Sequence, residues 1–332
     1  MTQEITDEPQ SKRILLLGTG ENRLPDYARI YAALRATGRV ETETFNQREI
    51  RQIGKVLKAL PLQNYDAVIA DIPFKHLRRA ALELRQAPGL LIYEQDACQN
   101  FLRGSKWYGE FDYFYRLLPH AQLALTGHQV SEKFRQLGLN AHFVAKGFDE
   151  SQLSYTATAR DISAGFIGRV RSNVYAERAR YLESLADSHD VALMRTETTE
   201  EYNELLNRIG IFVSADVGLG EYMAKNFEAM ACGCALLACR QGAGEEEALG
   251  LIDMENVALY SSLEEAGEKL TLLQHDSALR NKIADAGRQL AWDRYTFSAL
   301  ADRLYKLAVT TDGMTAPPLT WIEQLKVRLR KG

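Results

Sequence analysis

Short apolar runs alternate along the chain with segments in which apolar residues recur at about every third or fourth position. The runs are typical of buried parallel strands, and the second spacing is typical of amphipathic helices. Residues 13–17 and 65–70 show the first pattern, while residues 25–37, followed by Gly38, show the second. The alternation predicts an α/β fold whose parallel sheets are covered by helices on both faces.

The predicted elements form two similar sets, separated by the polar, aperiodic segment 150–161, which we interpret as a linker. The predicted strands cover residues 13–17, 40–45, 65–70, 89–93, 123–126, 141–145, 162–167, 191–194, 211–214, 235–238 and 257–260. The predicted helices cover residues 25–37, 50–60, 77–84, 128–137, 175–185, 199–208 with Thr199 as cap, 226–231, 263–273, 277–291 and 297–309.

We therefore predict two Rossmann-like domains, residues 1–155 and 156–310, facing each other across a cleft, and a tail at residues 311–332. The length of 332 residues and the 46% of hydrophobic residues suit two ordinary domains. Nucleotides usually bind folds of this type in such a cleft.

The formal net charge of −4 argues against a nucleic-acid partner, because such proteins are usually basic. Residues 1–13 lack the apolar stretch of a signal peptide, and no apolar run is long enough to span a membrane, so we expect a cytoplasmic protein. Cys232, Cys234 and Cys239 lack the paired spacing of zinc ligands, and their apolar surroundings predict buried free thiols and no metal.

The segment from Gly218 to Gly233 carries the predicted chemistry. A strand leads into a glycine-rich loop that opens a short helix, and the N–H groups at a helix start bind anions such as a diphosphate. Lys225 adds a positive charge there, and Glu228 in the first turn can accept hydrogen bonds from a ribose diol. The alternatives are a solvated surface lysine and a glutamate that only stabilises the helix start.

The run NFEAMACGCALLA, residues 226–238, resembles the donor-binding signature of the GT-B glycosyltransferases, in the branch that includes the spore-maturation CgeB-like proteins. The resemblance implies a GT-B fold and a hexosyltransferase-type enzyme that uses a nucleoside-diphosphate sugar without a cofactor or metal. It also implies that Glu228 binds the ribose, and that the turn of residues 166–169 approaches the diphosphate. The other donor-binding candidates are Gly168, Arg169, Arg178, Gly220, Glu221, Lys225, Asn226 and Phe227, with Arg171 less certain.

One position departs from the family pattern. Many retaining members carry a second Glu ahead of the ribose-binding one, at the position that Gly220 occupies here, and Glu221 is displaced by one residue. Retention or inversion of configuration therefore stays open.

In the first domain, Gly18, Thr19 and Gly20 form only part of a dinucleotide fingerprint, because Arg23 replaces its third glycine. NAD binding is thus disfavoured, and the resemblance implies that this loop faces the cleft and helps to hold acceptor or donor. Asp96, after the strand 89–93, is the preferred catalytic base if the reaction inverts, with Glu94 and Asp71 as further carboxylates of this kind. The alternative for Asp96 is a loop-stabilising role.

His128, at a predicted helix start, is the second catalytic candidate; it could also cap or pack. The aromatic stretch 106–116 could shape an acceptor site, but packing is the favoured interpretation. Residues 319–331 predict a basic amphipathic helix with Trp321, Ile322, Leu325 and Leu329 on one side. This helix could lie on the cytoplasmic face of a membrane, or it could pack back on the first domain.

The predicted function is transfer of a sugar from a nucleoside-diphosphate sugar to a glycan, lipid-linked or protein acceptor, in cell-surface polysaccharide biosynthesis. The helix start at Lys225 and Asn226, with Arg169, would stabilise the leaving diphosphate. The alternatives are a non-catalytic module of this fold that binds a nucleotide sugar or glycan, and a nucleotide-sugar epimerase.

Overall fold

The structure, a computed structural model, describes residues 12–20, 27–170 and 176–329. Within them the chain forms a six-stranded and a five-stranded sheet, and all strand pairs in both are parallel. The predicted α/β fold is confirmed. The division into domains at residues 155 and 310 stays a prediction.

The first sheet has the strand order β2-β1-β3-β4-β5-β6. Its strands are β1 (Ile14–Thr19), β2 (Val40–Phe45), β3 (Ala67–Ala70), β4 (Leu90–Glu94), β5 (Gln122–Leu125) and β6 (Ala141–Phe143). Its helices are α1 (Ala28–Thr37), α2 (Gln47–Arg51), α3 (Ile53–Ala59), α4 (Phe74–Leu77), α5 (Ala81–Leu84), α6 (Glu110–Arg116) and α7 (His128–Gln136), with 3-10 turns at Leu62–Asn64, Arg78–Ala80 and Ala97–Asn100.

The second sheet has the strand order β11-β10-β9-β7-β8. Its strands are β7 (Ile162–Ile167), β8 (Val191–Met194), β9 (Ile209–Val213), β10 (Ala235–Cys239) and β11 (Ala258–Tyr260). The helices that follow β7 are α8 (Ala176–Ser188), α9 (Thr199–Arg208), α10 (Ala224–Ala231), α11 (Glu245–Leu249), α12 (Leu263–His275), α13 (Ser277–Arg294), α14 (Phe297–Val309) and α15 (Trp321–Leu329).

Both faces of the first sheet are buried, because side chains alternate along β1. Leu15 and Leu17 face one core, whereas Ile14 and Leu16 face the other. The aromatic stretch 106–116 contributes to the first of these cores. Its residues Phe111, Phe114 and Tyr115 are buried there, and the Phe111 ring stacks on Phe74 with 3.7 Å between ring centroids. The packing interpretation of this stretch is confirmed.

Helix α14 returns to the first sheet. Phe297, Leu300 and Leu304 lie in the same core as Ile14 and Leu16, and the helix packs along α1. This differs from the sequence-based assignment of residues 297–309 to the second domain. The apolar pattern identifies the buried face of a helix, but it does not identify the sheet that the helix covers.

The tail also reaches the first domain. Val327 of α15 is buried in its core, and the Arg85 guanidinium donates a hydrogen bond to the Pro317 carbonyl. Trp321 is 74% exposed, and Ile322 and Leu325 are each 48% exposed. Across the ranges that the structure describes, no helix is long and apolar enough to cross a membrane.

Several helices differ from their predictions in their caps, ends or continuity; α10, for example, begins at Ala224 and not at Asn226. The side chain of Thr198, not Thr199, caps α9 by accepting the Glu201 N–H. The Glu201 side chain in turn accepts the Thr198 N–H, which completes a capping box. The predicted helix 50–60 is two helices that meet at Gln52. Residues 21–26, with Arg23 and the predicted start of the first helix, and residue Arg171 lie outside the described residues.

Candidate functional site

Asp216 organises the loop between β9 and α10. It is buried just beyond the carboxyl end of β9, and its Oδ2 accepts hydrogen bonds from the Met223 N–H at 3.0 Å and the Asn226 side-chain amide at 2.8 Å. The Arg178 guanidinium of α8 pairs with its other oxygen at 2.9 Å. One buried carboxylate therefore fixes the start of α10 and brings Arg178 to it.

Lys225 lies across the end of β7. Gly168, which follows β7, has a φ of 143°, and a Cβ there would lie 3.0 Å from the Lys225 Cε. Glycine thus leaves the space that the lysine side chain occupies. Burial lowers the pKa of Lys225, and the charges of Arg178 and Arg195 lower it further, while Glu228 opposes them.

Glu228 is partly exposed on the first turns of α10, and its Oε2 accepts a hydrogen bond from the hydroxyl of Tyr202 on α9. The Lys225 ammonium lies 4.7 Å from the centre of the Tyr202 ring. Burial raises the pKa of Glu228, whereas Lys225 and the Tyr202 hydrogen bond act in the opposite direction. These three side chains therefore form one connected group.

We call the group at this edge of the second sheet the donor-side cluster; it comprises Gly168, Arg178, Tyr202, Asp216, Lys225 and Glu228. Arg169 and Arg195 are exposed after the ends of β7 and β8. Carboxyl ends of parallel strands and the first N–H groups of α10 meet there, an arrangement that suits an anionic ligand.

The side chains of Asn226 and Phe227, two predicted donor-binding residues, point into the protein. The Asn226 amide bonds to Asp216, and the Phe227 ring packs on Tyr295 with 4.3 Å between ring centroids. The short helix turns these side chains towards the core, because residues between Lys225 and Glu228 cannot share their face. Neither side chain is therefore available to a ligand in the group around Lys225 and Glu228.

Glu221 lies between the two sheets and not in the donor-side cluster. It is 1% exposed, and its Oε2 accepts a hydrogen bond from the Thr126 hydroxyl at 2.7 Å and pairs with the Lys146 ammonium at 3.2 Å. Burial lowers the pKa of Lys146, but Glu221, Cys98 and Asp96 together outweigh it, and the pKa lies above its usual range. Glu221 thus holds the second domain against the first.

Gly220 touches the first domain as well. It has a φ of 70°, its N–H donates to the Gln241 side chain at 2.9 Å, and a Cβ there would collide with the Gln129 amide oxygen. A glutamate at this position would be strained and would have to displace Gln129. The structure thus gives a physical reason for the departure from the family pattern.

Glu245, at the start of α11, is fully buried, and its Oε2 accepts a hydrogen bond from the Gln129 N–H in the first turn of α7 at 2.9 Å. Burial raises the pKa of Glu245 to about 8, and Glu221 and Glu246 add to this rise. We call Thr126, Gln129, Lys146, Glu221 and Glu245 the interdomain cluster.

The two catalytic candidates lie near this cluster. His128 begins α7; its ring packs edge-on against Phe143 at 5.7 Å, and its Nε2 is 3.7 Å from the Glu132 carboxylate. Asp96 is exposed, and its charge helps to raise the pKa of Lys146. The Asp96 N–H donates to the buried Glu94 at 2.9 Å, which fixes the loop that carries it.

Gly18 and Thr19, predicted to lie in a loop, are the last residues of β1, and they pack against α1. A Cβ on Gly18 would lie 2.7 Å from the Tyr31 ring, and the Thr19 N–H donates to the Tyr31 hydroxyl at 3.3 Å. That hydroxyl donates to Asp71 at 2.6 Å, so Asp71 is a buried structural carboxylate.

Sequence reasoning missed Lys146, Arg195, Tyr202, Asp216 and Glu245. Arg195 and Asp216 follow the carboxyl ends of β8 and β9, a position that could have identified both. The other three depend on contacts between distant parts of the chain, for which the sequence holds no local signal.

The cysteines of the C-x-C-x4-C run, Cys232, Cys234 and Cys239, are buried free thiols. Among the described residues, no group of three or more His, Cys, Asp or Glu side chains could hold a metal ion.

Residues 162–306 match the model of a family described as glycosyl transferase-like. No curated protein sequence matches the chain. Three solved structures illustrate the structural similarity. Sucrose-phosphate synthase from Thermosynechococcus elongatus is 14% identical with a TM-score of 0.65, over 89% of this chain and 98% of that one. Anabaena HepE in complex with UDP-glucose is 14% identical with a TM-score of 0.63, over 90% and 100%.

An alpha-glucosyltransferase in complex with UDP-glucose and DNA containing an abasic site is 10% identical with a TM-score of 0.57, over 90% of this chain and 100% of that one. The likeness to these structures extends over both sheets, and the family match covers the second sheet with the donor-side cluster. The predicted GT-B fold is confirmed, and the family match over residues 162–306 agrees with the predicted class, a glycosyltransferase-type enzyme.

Proposed function

We propose that this chain transfers a sugar from a nucleoside-diphosphate sugar that binds at the donor-side cluster. The observation that supports the proposal is the convergence of Lys225, Arg178 and Glu228 at the end of β7 and the start of α10. Cations there suit a diphosphate, and a partly exposed carboxylate suits a ribose diol. Two proteins of similar fold were solved with nucleotide or nucleotide-sugar ligands, which is consistent with this class of donor.

In the proposed reaction, an acceptor oxygen forms a bond to the anomeric carbon while the bond from that carbon to the diphosphate oxygen breaks. Negative charge develops on the diphosphate, and Lys225, Arg169 and the N–H groups at the start of α10 stabilise it. This is the electrostatic role that a metal ion has in other transferases, so we propose a metal-independent reaction that needs no cofactor.

The proton of the acceptor hydroxyl needs a base if the transfer inverts configuration. We propose Asp96 for this role, because its carboxylate is exposed and lies on the loop after β4, beside the interdomain cluster. His128 is the second candidate. It is only partly buried, and a Cβ on Gly244 of the second domain would lie 3.3 Å from its ring.

For the acceptor, we propose a glycan, protein or lipid-linked hydroxyl, in cytoplasmic synthesis of cell-surface polysaccharide. The lipid-linked class is supported by the exposed apolar side chains of Trp321, Ile322 and Leu325 on α15, whose Val327 anchors the helix to the first domain. Such a face can insert into a membrane surface. Co-sedimentation with anionic phospholipid vesicles tests this contact: Trp321→Ser should reduce binding, whereas Met314→Ser, at an exposed residue outside the helix, should not.

The donor site is tested by the melting temperature in the presence of UDP, GDP, CMP, ADP and TDP, because a ligand that binds the native state raises it. We expect at least one nucleotide to stabilise the wild type and to lose this effect in Glu228→Ala. Glu264→Ala, at a first-turn glutamate of α12, is the matched control and should respond like the wild type. An equal response in all three proteins would refute the assignment of Glu228.

A non-catalytic binding module is the second candidate, favoured by the burial of Glu221 away from the donor-side cluster. It predicts nucleotide binding without turnover. An epimerase would convert the nucleotide sugar without an acceptor. Product analysis with and without acceptor separates both from the transferase.

A further inference from the structure

Tyr202 contacts two functional candidates at once. It lies in α9, and it meets α10 at Lys225 and Glu228, which share one face of that helix. The capping box of Thr198 and Glu201 fixes the helix turn just ahead of Tyr202. Tyr202 is therefore carried by a fixed helix turn of α9, while its side chain contacts α10.

The hydroxyl of Tyr202 takes up only part of the hydrogen-bonding capacity of Glu228. It donates to Oε2, whereas a carboxylate has about four acceptor positions on its two oxygens. A fixed carboxylate loses less conformational entropy when a ligand binds than a freely rotating one. The hydrogen bond from Tyr202 thus orients the Glu228 carboxylate and leaves acceptor positions for the ribose.

The ring of Tyr202 acts on Lys225. The ammonium lies 4.7 Å from the ring centre, and a Cβ on Gly168 would lie 3.4 Å from it. An aromatic face attracts a cation more strongly when the cation is partly desolvated, as it is here. The ring of Tyr202 therefore holds the Lys225 ammonium within the donor-side cluster.

We propose that Tyr202 is a positioning residue for the donor, whose hydroxyl orients Glu228 towards the ribose diol and whose ring orients Lys225 towards the diphosphate. This inference depends on the proposed function, because it assumes a nucleoside-diphosphate ligand at this cluster. It goes beyond that function by assigning two separable tasks to a residue outside the motif.

The two tasks can be separated by calorimetric binding of UDP and GDP, their 2′-deoxy forms and their monophosphates. In the wild type we expect the 2′-deoxy diphosphate to bind about tenfold more weakly, as for the loss of one hydrogen bond to a charged group. Tyr202→Phe keeps the ring, so it should reduce this penalty to about twofold and leave the preference for diphosphate over monophosphate unchanged. Tyr202→Leu should reduce both.

Tyr181→Phe, at a tyrosine of α8 that stacks on Tyr260, is the matched control and should keep both preferences. The melting temperature of each unliganded variant shows whether it is folded. If Tyr202→Phe keeps the full 2′-deoxy penalty while the wild type binds a diphosphate, the positioning role is refuted and the proposed function stands. If the wild type binds neither UDP nor GDP, both proposals fail for these donors.

Discussion

The donor-side cluster and the interdomain cluster each contain a glutamate from the stretch Gly218 to Gly233, yet these two carboxylates have opposite surroundings. Glu228 is partly exposed and keeps acceptor capacity beyond its bond from Tyr202. Glu221 is buried between Thr126 and Lys146, which come from the first domain. A glutamate in a motif is thus available to a ligand only if the fold has not already paired it with another residue.

The two clusters should therefore respond differently to substitution. A buried charge that loses its partner destabilises the protein strongly, whereas changes at a partly exposed group mainly alter what binds there. Stability measurements should detect the interdomain cluster, and ligand binding should detect the donor-side cluster.

The largest effect is expected from Lys146→Met, which leaves the Glu221 charge buried and unpaired. We expect a loss of about 3–5 kcal/mol in the free energy of unfolding, measured with urea. The double variant Lys146→Met, Glu221→Gln should regain much of it, because no isolated charge remains. The control Arg208→Ala breaks the exposed pair with Asp161 and should cost much less stability, because solvent screens exposed pairs. Equal losses in the two single variants would contradict the contrast between the clusters.

Glu245→Gln should change how stability depends on pH. Burial raises the pKa of Glu245 from 4.5 to about 8, so the folded protein keeps a proton that the unfolded chain releases earlier. This contribution is full below about pH 4.5 and is lost as the pH rises through about 8.

Glutamine does not titrate. Between about pH 4.5 and pH 8, the free energy of unfolding of the wild type should therefore fall relative to that of Glu245→Gln, by on the order of a few kcal/mol. The measurement is the urea midpoint of both proteins at a series of pH values. Parallel pH curves would show that Glu245 is not buried against α7.

Gly220→Ala tests the contact of the loop after β9 with Gln129 of the interdomain cluster, and Gly218→Ala is its matched control. Both glycines have positive φ, of 70° and 72°, so each alanine should cost about 1–2 kcal/mol of strain. Only Gly220 faces Gln129, whereas a Cβ on Gly218 would have open space. We expect Gly220→Ala to lower the free energy of unfolding by about 1 kcal/mol more than its control. A larger loss in Gly218→Ala than in Gly220→Ala would show that the loop that carries both glycines does not contact the first domain.

The smallest effect concerns α9, the helix that carries Tyr202. Thr198→Ala removes the observed cap and should cost about 1 kcal/mol of stability. Thr199→Ala, at the cap predicted from the sequence, should stay within about 0.5 kcal/mol of the wild type. Thermal unfolding of both variants decides between the two caps.

Most of the fold could be predicted because buried strands such as β1, β3 and β9 are continuous apolar runs. Helix α6 was missed because Phe111, Phe114 and Tyr115 lie in a stretch so rich in aromatic residues that no periodic face stands out. Its side chains were nevertheless expected to pack. Helix α11 was missed because three successive glutamates give no apolar period.

The sequence could predict only those features of the site that follow from the motif and from the order of strands and helices. The convergence of Lys225, Glu228 and Gly168 follows from strand ends and helix starts, which sequence patterns locate. The separate position of Glu221 does not, because it depends on Lys146 and Thr126, which are distant in sequence. The inward direction of Phe227 depends on how the short helix is rotated about its own axis, and the motif alone does not give that rotation.

The return of α14 to the first sheet has a consequence for synthesis of the protein on the ribosome. The sheet face that carries Ile14 and Leu16 is covered in part by residues made only after the second sheet is complete. Until then this face stays open to water, so the first half of the chain cannot finish folding alone. The second half has an apolar core of its own, formed by residues between Ala145 and Tyr295, so this core does not need α14.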